Sequence, residues 1–471
     1  MAVLAIDQGT SATKAVVVDG DGGVLGLAEV PIAVHATPDG GVELHPEELW
    51  QSVLAAGRQA VAAAGSPHLA AIGLANQGET VLAWDRATGR CDGPAIVWQD
   101  RRSGVVCDAL REHGPRLAEL TGLELDPYFV APKLSWLRDR VDPRLTITTT
   151  DTWLLHRLCG AFVTDVATAG RTLLVDLDTG AWSQEACGIF GLDAETLPDI
   201  VGNAQPIGTT SAFGGNVAVT GACVDQQAAL FAEACHTAGE AKCTYGTGAF
   251  MLACTGSRPT RSANGLVGCP AWRLGDALTW CLDGQVYTVG AAVGWLVDMG
   301  IMSEPADLDR LGSAVGDSAG VTFVPALAGL AAPYWKPNAK AAFTGLSLGT
   351  ERGHLVRAAI DGIAVQVALL AQAAGRDLGA PLTRLRVDGG LTRSGTLLQV
   401  QADLLQCPVE VYPSPHATAL GVAEFAAIGA GIGPSSAQWR PSAVVEPLIA
   451  ADEAAERLHT WQAVAAATMD H

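Results

Sequence analysis

The chain has 471 residues, more than one hydrophobic core ordinarily accommodates, so two domains are expected. Because 49% of the residues are hydrophobic and only 17% are charged, the composition excludes an intrinsically disordered chain. The formal net charge of −20 argues against nucleic acid or an anionic membrane as the main partner, since both attract basic surfaces.

The N-terminal segment predicts strand, turn, strand, turn, strand. It opens with MAVLAIDQGT, which has no basic n-region and reaches Asp7 after a few apolar residues, so it reads as a strand and not as a signal peptide. Runs rich in β-branched residues follow, separated by the turn sequences DQGTS and DGDGG.

A helix is predicted next, over Pro46 to Ala64, because Pro46 suits a first helical position and apolar residues recur on one face. The strand LAAIGLA, the polar insert Asn76 to Glu79 and a hairpin across DRATGR come after it. The amides of Asn76 and Gln77 are expected to bond the backbone of their own turn. Strands followed by helices in this way indicate an α/β sheet.

Two observations favour a soluble cytoplasmic protein. The uncharged run over residues 200–224 is broken by Pro206 and by several Gly, Thr and Ser residues, so it does not predict a membrane helix. The eleven cysteines form no CxxC pair and no zinc-binding spacing, and a reducing cytosol explains them most simply.

The second half repeats the pattern of the first. Its stretch AKCTYGTGAFMLACTG again predicts strand, Gly-Thr turn, strand, and aligning its YGTGA with QGTSA pairs Gly246 with Gly9, about half the chain apart. Two domains of related topology follow, over residues 1–236 and 237–471. The predicted helix with inward-facing Val356, Ile360, Ile363, Val367 and Leu370 precedes a strand–turn–helix unit, RLRVDGGLTRSGTLLQVQADLL, and a loop with a closing helix ends the chain after about residue 435.

Three glycine turns are candidates for phosphate and nucleoside binding. In DQGTS an acid at a strand end precedes a turn whose amides and hydroxyls can face phosphate, and Asp7 can hold magnesium beside it. The turns YGTG and VDGG repeat the feature, and the helix after VDGG can direct its N-terminus at phosphate. Each turn alone is also compatible with an ordinary tight connection. Together they favour a nucleotide, although neither GxGxxG nor GxxxxGK[ST] occurs at a strand–helix junction.

Asp225 and Gln226 follow an apolar strand at the start of a helix. A carboxylate in this place is either a helix N-cap or a base that faces the interdomain cleft, and one residue can do both.

Several ordered blocks resemble the FGGY family of carbohydrate kinases, most closely the glycerol kinases within it. They run from AIDQGTSATKAVVVD through IGLANQGETVLAWDRATGRCDGPAIVWQDRR, VTDVATAGRTLLVDLDTGAW, GACVDQQAALF and TYGTGAFML to LRVDGGLTRSGTLLQVQADLLQCPVEV, ending near Gly433. The resemblance implies two actin-like (ribonuclease-H-like) domains around a deep cleft. It also implies ATP with Mg²⁺ as cofactors and a small polyol or sugar as the phosphate acceptor.

The resemblance assigns the nucleotide side as follows. Asp7 is implied as the metal-side acid, and the residues implied to contact the nucleotide are Gly9, Thr10, Ser11, Thr247, Gly248, Gly389, Gly390 and Ser394. Most of the substrate site is expected in the first domain and nucleotide binding in the second. Family members are often dimers or tetramers, so a homo-oligomer is expected.

On the substrate side the resemblance implies Asp225 as catalytic base and Gln226 as its hydrogen-bonding neighbour. The other implied substrate-binding residues are Gly78, Glu79, Trp98, Tyr128 and Phe250. Trp98 and Tyr128 are also compatible with ordinary core aromatics. Glycerol kinases have NQRET where this chain has NQGET, so Gly78 replaces an arginine that bonds glycerol. A larger substrate, such as a pentulose or a tetritol, is the alternative to glycerol.

Two different classes of protein are considered beside the enzyme. The first class is that of actin and the Hsp70 chaperones, which have the same nucleotide-binding fold but transfer phosphate to no small molecule. A non-catalytic sugar or nucleotide sensor of the same fold is the other alternative. A chaperone or filament does not need the predicted substrate-binding residues, which are Glu79, Trp98, Tyr128 and Asp225. The presence of both Asp7 and Asp225 argues against a non-catalytic sensor.

Overall fold

A computed structural model describes residues 1–193, 195–433 and 439–469. In the first half the strands are β1 Ala2–Gln8, β2 Ala12–Val18, β3 Val24–Pro31, β4 Val34–Ala36, β5 Val42–Leu44, β6 Leu69–Asn76, β7 Val81–Trp84, β8 Ala95–Ile96, β9 Thr146–Thr149, β10 Val163–Asp165, β11 Val175–Asp176, β12 Ala181–Trp182, β13 Asp199–Val201, β14 Ala204–Thr210 and β15 Val217–Val224. The helices there are α1 Pro46–Ala63, α2 Gly104–Ala109, α3 Gly114–Thr121, α4 Val130–Arg138, α5 Thr150–Cys159, α6 Val166–Ala169, α7 Gln184–Ile189 and α8 Asp225–Ala232, with a 3₁₀ turn at Arg111–His113.

The second half has the remaining elements. Its strands are β16 Ala241–Tyr245, β17 Ala249–Gly256, β18 Val267–Leu274, β19 Ala277–Val286, β20 Thr322–Val324, β21 Ala342–Thr344, β22 Leu385–Asp388, β23 Val409–Val411 and β24 Ala443–Val445. Its helices are α9 Gly290–Asp298, α10 Asp307–Gly312, α11 Arg352–Leu378, α12 Gly395–Leu405, α13 Ala417–Gly429 and α14 Ala451–Met469, with a 3₁₀ turn at Gly390–Arg393.

Each half is built on a sheet with the same central strand order. In the first sheet β3, β2 and β1 are antiparallel neighbours, and β6 and β15 then continue parallel to β1. In the second sheet β19, β17 and β16 are antiparallel neighbours, and β22 and β23 continue parallel to β16. The repeated order confirms the predicted fold class, two actin-like (ribonuclease-H-like) α/β domains around a cleft.

The predicted helices are confirmed with small shifts at their ends. Helix α1 begins at Pro46 and buries Leu49, Val53, Ala56 and Ala60 against the first sheet. Helix α11 buries all five of its predicted inward-facing residues in the second core. The closing helix is α14, whereas the loop predicted before it includes residues 434–438, which lie outside the described residues.

Helix α13 returns from the second half of the sequence to the first sheet. Its apolar residues pack with those of β1, β2 and β6, and the hydroxyl of Thr220 donates to the carbonyl of Ala426 at 2.7 Å. Two glycines allow this approach, because a Cβ on Gly73 would lie 2.4 Å from the carbonyl oxygen of Val422 and one on Gly221 would lie 2.6 Å from the amide nitrogen of Ala426. A helix from the predicted second domain therefore covers the first sheet.

One helix among the described residues, Arg352–Leu378, is long and apolar enough to span a membrane by length and composition alone. It is α11, and 78% of its apolar window is buried inside the protein, as is ordinary for a core helix.

Candidate active site

Strand register brings the first group of site residues to one edge of the first sheet. Strands β1, β6 and β15 are parallel, and their last residues lie side by side, with Gln8 beside Asn76 and Asn76 beside Val224. Asp7, the insert that starts at Asn76 and Asp225 therefore share the carboxyl edge of the sheet, where ligands of open α/β sheets bind.

The first glycine turn, predicted to contact the nucleotide, is hydrogen-bonded to Trp98, which is predicted to contact the substrate. The amide of Gly9 donates to the carbonyl of Ala12 at 3.0 Å and closes the turn between β1 and β2. The hydroxyl of Thr10 donates to Gln77 Oε1 at 2.9 Å and accepts a bond of 2.9 Å from the indole of Trp98. Because the Thr10 side chain is occupied in this way, the turn's backbone and the exposed hydroxyl of Ser11 remain to face phosphate.

The second glycine turn is packed against the start of α9. The amides of Val289 and Ala291 both donate to the carbonyl of Thr247 at 3.0 Å, so these helix-start amides hold the loop. A Cβ on Gly248 would lie 2.5 Å from the carbonyl oxygen of Val286, so no larger residue fits there without movement. The loop follows β16, and its place in the second sheet corresponds to that of the first turn after β1 in the first sheet.

The third glycine turn lies beside the second. Gly389 has φ +96°, and a Cβ there would lie 2.4 Å from the carbonyl oxygen of Tyr245, so this position requires glycine for two reasons. A Cβ on Gly390 would meet nothing within 4 Å, so its backbone has open space in front of it. Ser394 caps α12 by accepting from the amide of Leu397 and also donates to Asp309 at 2.9 Å, which favours a structural role for its hydroxyl.

Two carboxylates at the cleft have raised pKa values. Burial raises the pKa of Asp7 to about 6; Lys14 opposes the rise and Asp388 adds to it. Burial also raises the pKa of Asp225 to about 6, where Asp7 adds to the rise and Lys242 opposes it. The contribution of Asp7 to the raised pKa of Asp225 indicates that the two acids are close enough to repel each other, and a divalent cation beside Asp7 would reduce that repulsion.

The single carboxylate of Asp7 suits a magnesium ion that is held mainly by the phosphates of a bound nucleotide. Over the described ranges, no three or more His, Cys, Asp or Glu side chains converge to form a metal cage. Magnesium keeps several waters and binds proteins through one or two carboxylates plus substrate phosphates. The half-buried Asp7, next to the turn that is predicted to contact phosphate, matches that requirement.

Three predicted aromatic residues form one wall that joins the two halves. The ring of Trp98 lies edge-on to Tyr128 at 5.8 Å and to Phe250 at 6.2 Å between centroids. Phe250 comes from β17 of the second sheet, whereas Trp98 and Tyr128 come from the first half. The predicted aromatic residues are therefore brought together at the cleft.

Glu79 is strained and ion-paired, which its prediction as a hydroxyl acceptor did not include. Its φ of +58° is uncommon for a non-glycine residue and is typical of functional sites. The guanidinium of Arg171 lies 2.6 Å from Glu79 Oε1 and 2.7 Å from Asp283 Oδ2. Burial raises the pKa of Glu79, and the guanidinium opposes that rise.

Arg171 was not identified from the sequence. It contacts a carboxylate of each sequence half, and its side chain is only 3% exposed. A usable signal was present, because Arg171 is the one charged residue in the apolar stretch ATAGRTLLV, and buried arginines almost always have partners.

Lys242 was also missed and holds Gln226. Its buried ammonium donates to Gln226 Oε1 at 2.6 Å and to the hydroxyl of Thr244 at 2.8 Å. Because the carbonyl oxygen of the Gln226 side chain is occupied, its NH₂ group is left to face a ligand. Asp225 Oδ1 accepts a hydrogen bond of 2.7 Å from the backbone amide of Gln226, which fixes the carboxylate at the start of α8.

The insert that contains Gly78 is only partly held by its own backbone. The side chain of Asn76 donates to the carbonyl of Gln77 at 3.2 Å, as predicted, whereas the side chain of Gln77 bonds Thr10 instead. A Cβ on Gly78 would lie 3.1 Å from Val224 Cγ2. The first carbon of an arginine side chain at this position would therefore be in tight contact with an apolar side chain.

Comparison with known proteins identifies the family. The model of the FGGY family of carbohydrate kinases matches with its N-terminal domain over residues 2–232 and with its C-terminal domain over residues 241–430. The chain belongs to the FGGY family of carbohydrate kinases. The glycerol kinase of Alkalilimnicola ehrlichii is 42% identical to this FGGY kinase over 98% of the chain and 97% of the relative, and that of Thermus brockianus is 42% identical over 94% and 93%.

Solved structures of the family have the same fold. The glycerol kinase of Plasmodium falciparum, solved with ADP, superposes on this FGGY kinase with a TM-score of 0.92 at 30% identity, over 99% of this chain and 98% of the other. The xylulose kinase of Brucella ovis superposes with a TM-score of 0.89 at 25% identity, over 99% of each chain. This FGGY kinase is thus similar over its whole length to kinases that differ in substrate.

Proposed function

We propose that this FGGY kinase transfers the γ-phosphate of ATP to a hydroxyl of a small polyol or sugar, with Asp225 as the base. The observation that carries the proposal is the position of Asp225, on the same sheet edge as Asp7 and the Thr10 turn, with its pKa raised to about 6. A carboxyl group with this pKa is ionised at pH 7 and basic enough to accept a proton.

In the proposed mechanism the protein mainly positions groups around a loose transition state. The substrate hydroxyl donates a hydrogen bond to Asp225, which accepts the proton as the oxygen–phosphorus bond forms and ADP leaves. The turns at Thr10 and Thr247 hold the phosphates from opposite sheets. Magnesium near Asp7, when bound, would neutralise charge on the phosphate oxygens.

The substrate pocket has polar and aromatic walls. The NH₂ group of Gln226 and the Arg171-paired carboxylate of Glu79 face hydroxyl groups, while Trp98, Tyr128 and Phe250 pack against the carbon chain. Because Gly78 supplies no charged donor, glycerol loses one anchor that an arginine would give, which favours a larger substrate over glycerol.

An ADP-release assay tests the proposal. The wild-type enzyme is given ATP, Mg²⁺ and, in turn, glycerol, erythritol, ribitol, D-ribulose and D-xylulose. We expect ADP release to depend on at least one of these compounds and to stop when Mg²⁺ is removed with EDTA. Release at the same rate with no added alcohol would contradict the proposal and support a nucleotide-driven binding protein of the same fold.

Two further properties stay predictions. The enzyme is proposed to be cytoplasmic and to form a dimer or tetramer. Cell fractionation and light scattering after size-exclusion chromatography would measure these properties.

A further inference from the structure

Gln285 in β19 is a buried amide that the proposed mechanism does not use. It is 1% exposed, and neither its Oε1 nor its Nε2 has a hydrogen-bond partner among the described residues. Burying an amide with no partner costs free energy, so native proteins rarely do it without a reason. A ligand hydroxyl, which both donates and accepts, is such a reason.

Gln401, a second buried glutamine, has a hydrogen bond at each side-chain atom, whereas Gln8 and Gln77 each have a bond at one atom. Gln401 is fully buried, yet its Oε1 accepts from the hydroxyl of Tyr245 at 2.6 Å and its Nε2 donates to the carbonyl of Ala364 at 3.2 Å. Gln401 is therefore a satisfied core residue, and Gln285 differs from it in having no bond at either atom.

Strand register directs Gln285 toward the substrate side of the second sheet. It lies directly opposite Phe250 on the antiparallel neighbour β17, and opposed residues point to the same face of a sheet. The ring of Phe250 contacts Trp98, whose indole bonds the Thr10 turn. The face that carries Gln285 is thus turned toward the first half of the chain.

The neighbours of Gln285 on that face belong to the same site. Asp283, two residues earlier, bonds Arg171 through Oδ2, while its buried Oδ1 has no partner in the described part of the chain. Tyr287, two residues later, lines a cavity of about 730 Å³ together with Trp98 and Trp335. Gln285 therefore lies on the chain between an ion-paired carboxylate and a residue that lines this cavity.

We propose that Gln285 is a specificity-determining residue, whose side-chain amide binds hydroxyl groups of a polyol or sugar with more than three carbons. Asp225, Gln226 and Glu79 supply the polar groups for a three-carbon triol from the first half of the chain. Gln285 adds a donor and an acceptor from the second half, and Gly78 brings no arginine side chain to the site. The inference rests on the proposed function and names the substrate class for it.

The test compares Gln285→Met with wild type by kcat/KM for erythritol, ribitol and D-xylulose, each divided by the value for glycerol. Methionine matches glutamine in length and removes both unpaired atoms. We expect the largest of these ratios to fall by about tenfold or more, the effect of losing two hydrogen bonds to substrate. The melting temperature is expected to stay equal or rise, since no protein hydrogen bond is lost.

Gln401→Met is the matched control. It removes two made bonds and leaves the Tyr245 hydroxyl unpaired, so its melting temperature should fall while the substrate ratios stay unchanged. If Gln285→Met does not fold, Gln285→Asn replaces it, because the shortened amide should lower the same ratios.

Each outcome separates the two proposals. Unchanged ratios in the Gln285 variant, or a wild-type enzyme that prefers glycerol, would overturn the role of Gln285 and leave the kinase function standing. A wild-type enzyme that phosphorylates none of these compounds would overturn the proposed function, and the role of Gln285 with it.

Discussion

Arg171 joins two buried carboxylates that come from different halves of the chain. Its guanidinium bonds Glu79 in the insert after β6 and Asp283 in β19, and all three side chains are buried. Each carboxylate needs the guanidinium, because a buried charge without a partner is strongly destabilising. The arrangement also fixes Glu79 in its strained conformation beside the substrate wall.

Arg171→Met is predicted to lower the free energy of unfolding by about 3 to 5 kcal/mol, because it leaves two buried carboxylates without their ion-pair partner. Urea denaturation at pH 7 measures the change. Arg457→Met is the control, since Arg457 pairs with Glu453 on the surface of α14 and its loss should cost less than about 1 kcal/mol. Equal destabilisation by the two substitutions would contradict the role given to Arg171.

Gly78 and Val224 are predicted to act together against glycerol. Gly78→Arg in a Val224→Ala background should raise kcat/KM for glycerol about tenfold or more over Val224→Ala alone, because a charged donor to a hydroxyl is regained. Gly78→Arg alone should gain less, since its Cβ would lie 3.1 Å from Val224 Cγ2. A double variant no better than Val224→Ala would show that position 78 does not face the substrate.

At the scale of elements, α13 and α8 pack so closely that one position admits only glycine. A Cβ on Gly421 would lie 1.9 Å from the carbonyl oxygen of Ala228. Both helices border the site, because α8 begins at Asp225 and the hydroxyl of Thr418 in α13 lies 3.4 Å from the carbonyl oxygen of that residue. The contact between these helices thus supports the position of the proposed base.

Gly421→Ala is predicted to destabilise the protein by about 1 to 3 kcal/mol, because the helices must move apart. Gly294→Ala in α9 is the matched control, since its added Cβ meets nothing within 4 Å. Alanine there should leave stability unchanged or raise it by up to about 1 kcal/mol. Thermal unfolding of the two variants checks the pair, and a stable Gly421→Ala protein would contradict the packing of α13 on α8.

At the scale of the whole molecule, local patterns predicted the repeated fold but not how its two halves meet. The pairing of Gly9 with Gly246 predicted related domains, and the common strand order of the two sheets agrees with it. The turns and Asp225 could be found because each depends on residues a few positions apart. The burial of Arg171 had a sequence signal, but its partners and the unpaired amide of Gln285 could not be predicted, because they depend on distant segments, as with Arg171 and Glu79, 92 residues apart.

Packing between domains also explains the path of α13. Its small residues, with glycines on the strands beneath, match a close helix–sheet contact, but the sequence does not state which sheet receives it. The structure shows that the first sheet does. Both sheets therefore depend on the second half of the chain.

The Asp225→Asn variant tests most directly whether this kinase uses Asp225 to activate the substrate hydroxyl. The substitution keeps the size of the side chain and removes its basicity. With the best alcohol from the wild-type panel, we expect kcat to fall about 100-fold or more, while ADP still raises the melting temperature as it does in the wild type. A folded Asp225→Asn enzyme that retains most of its kcat would contradict the account.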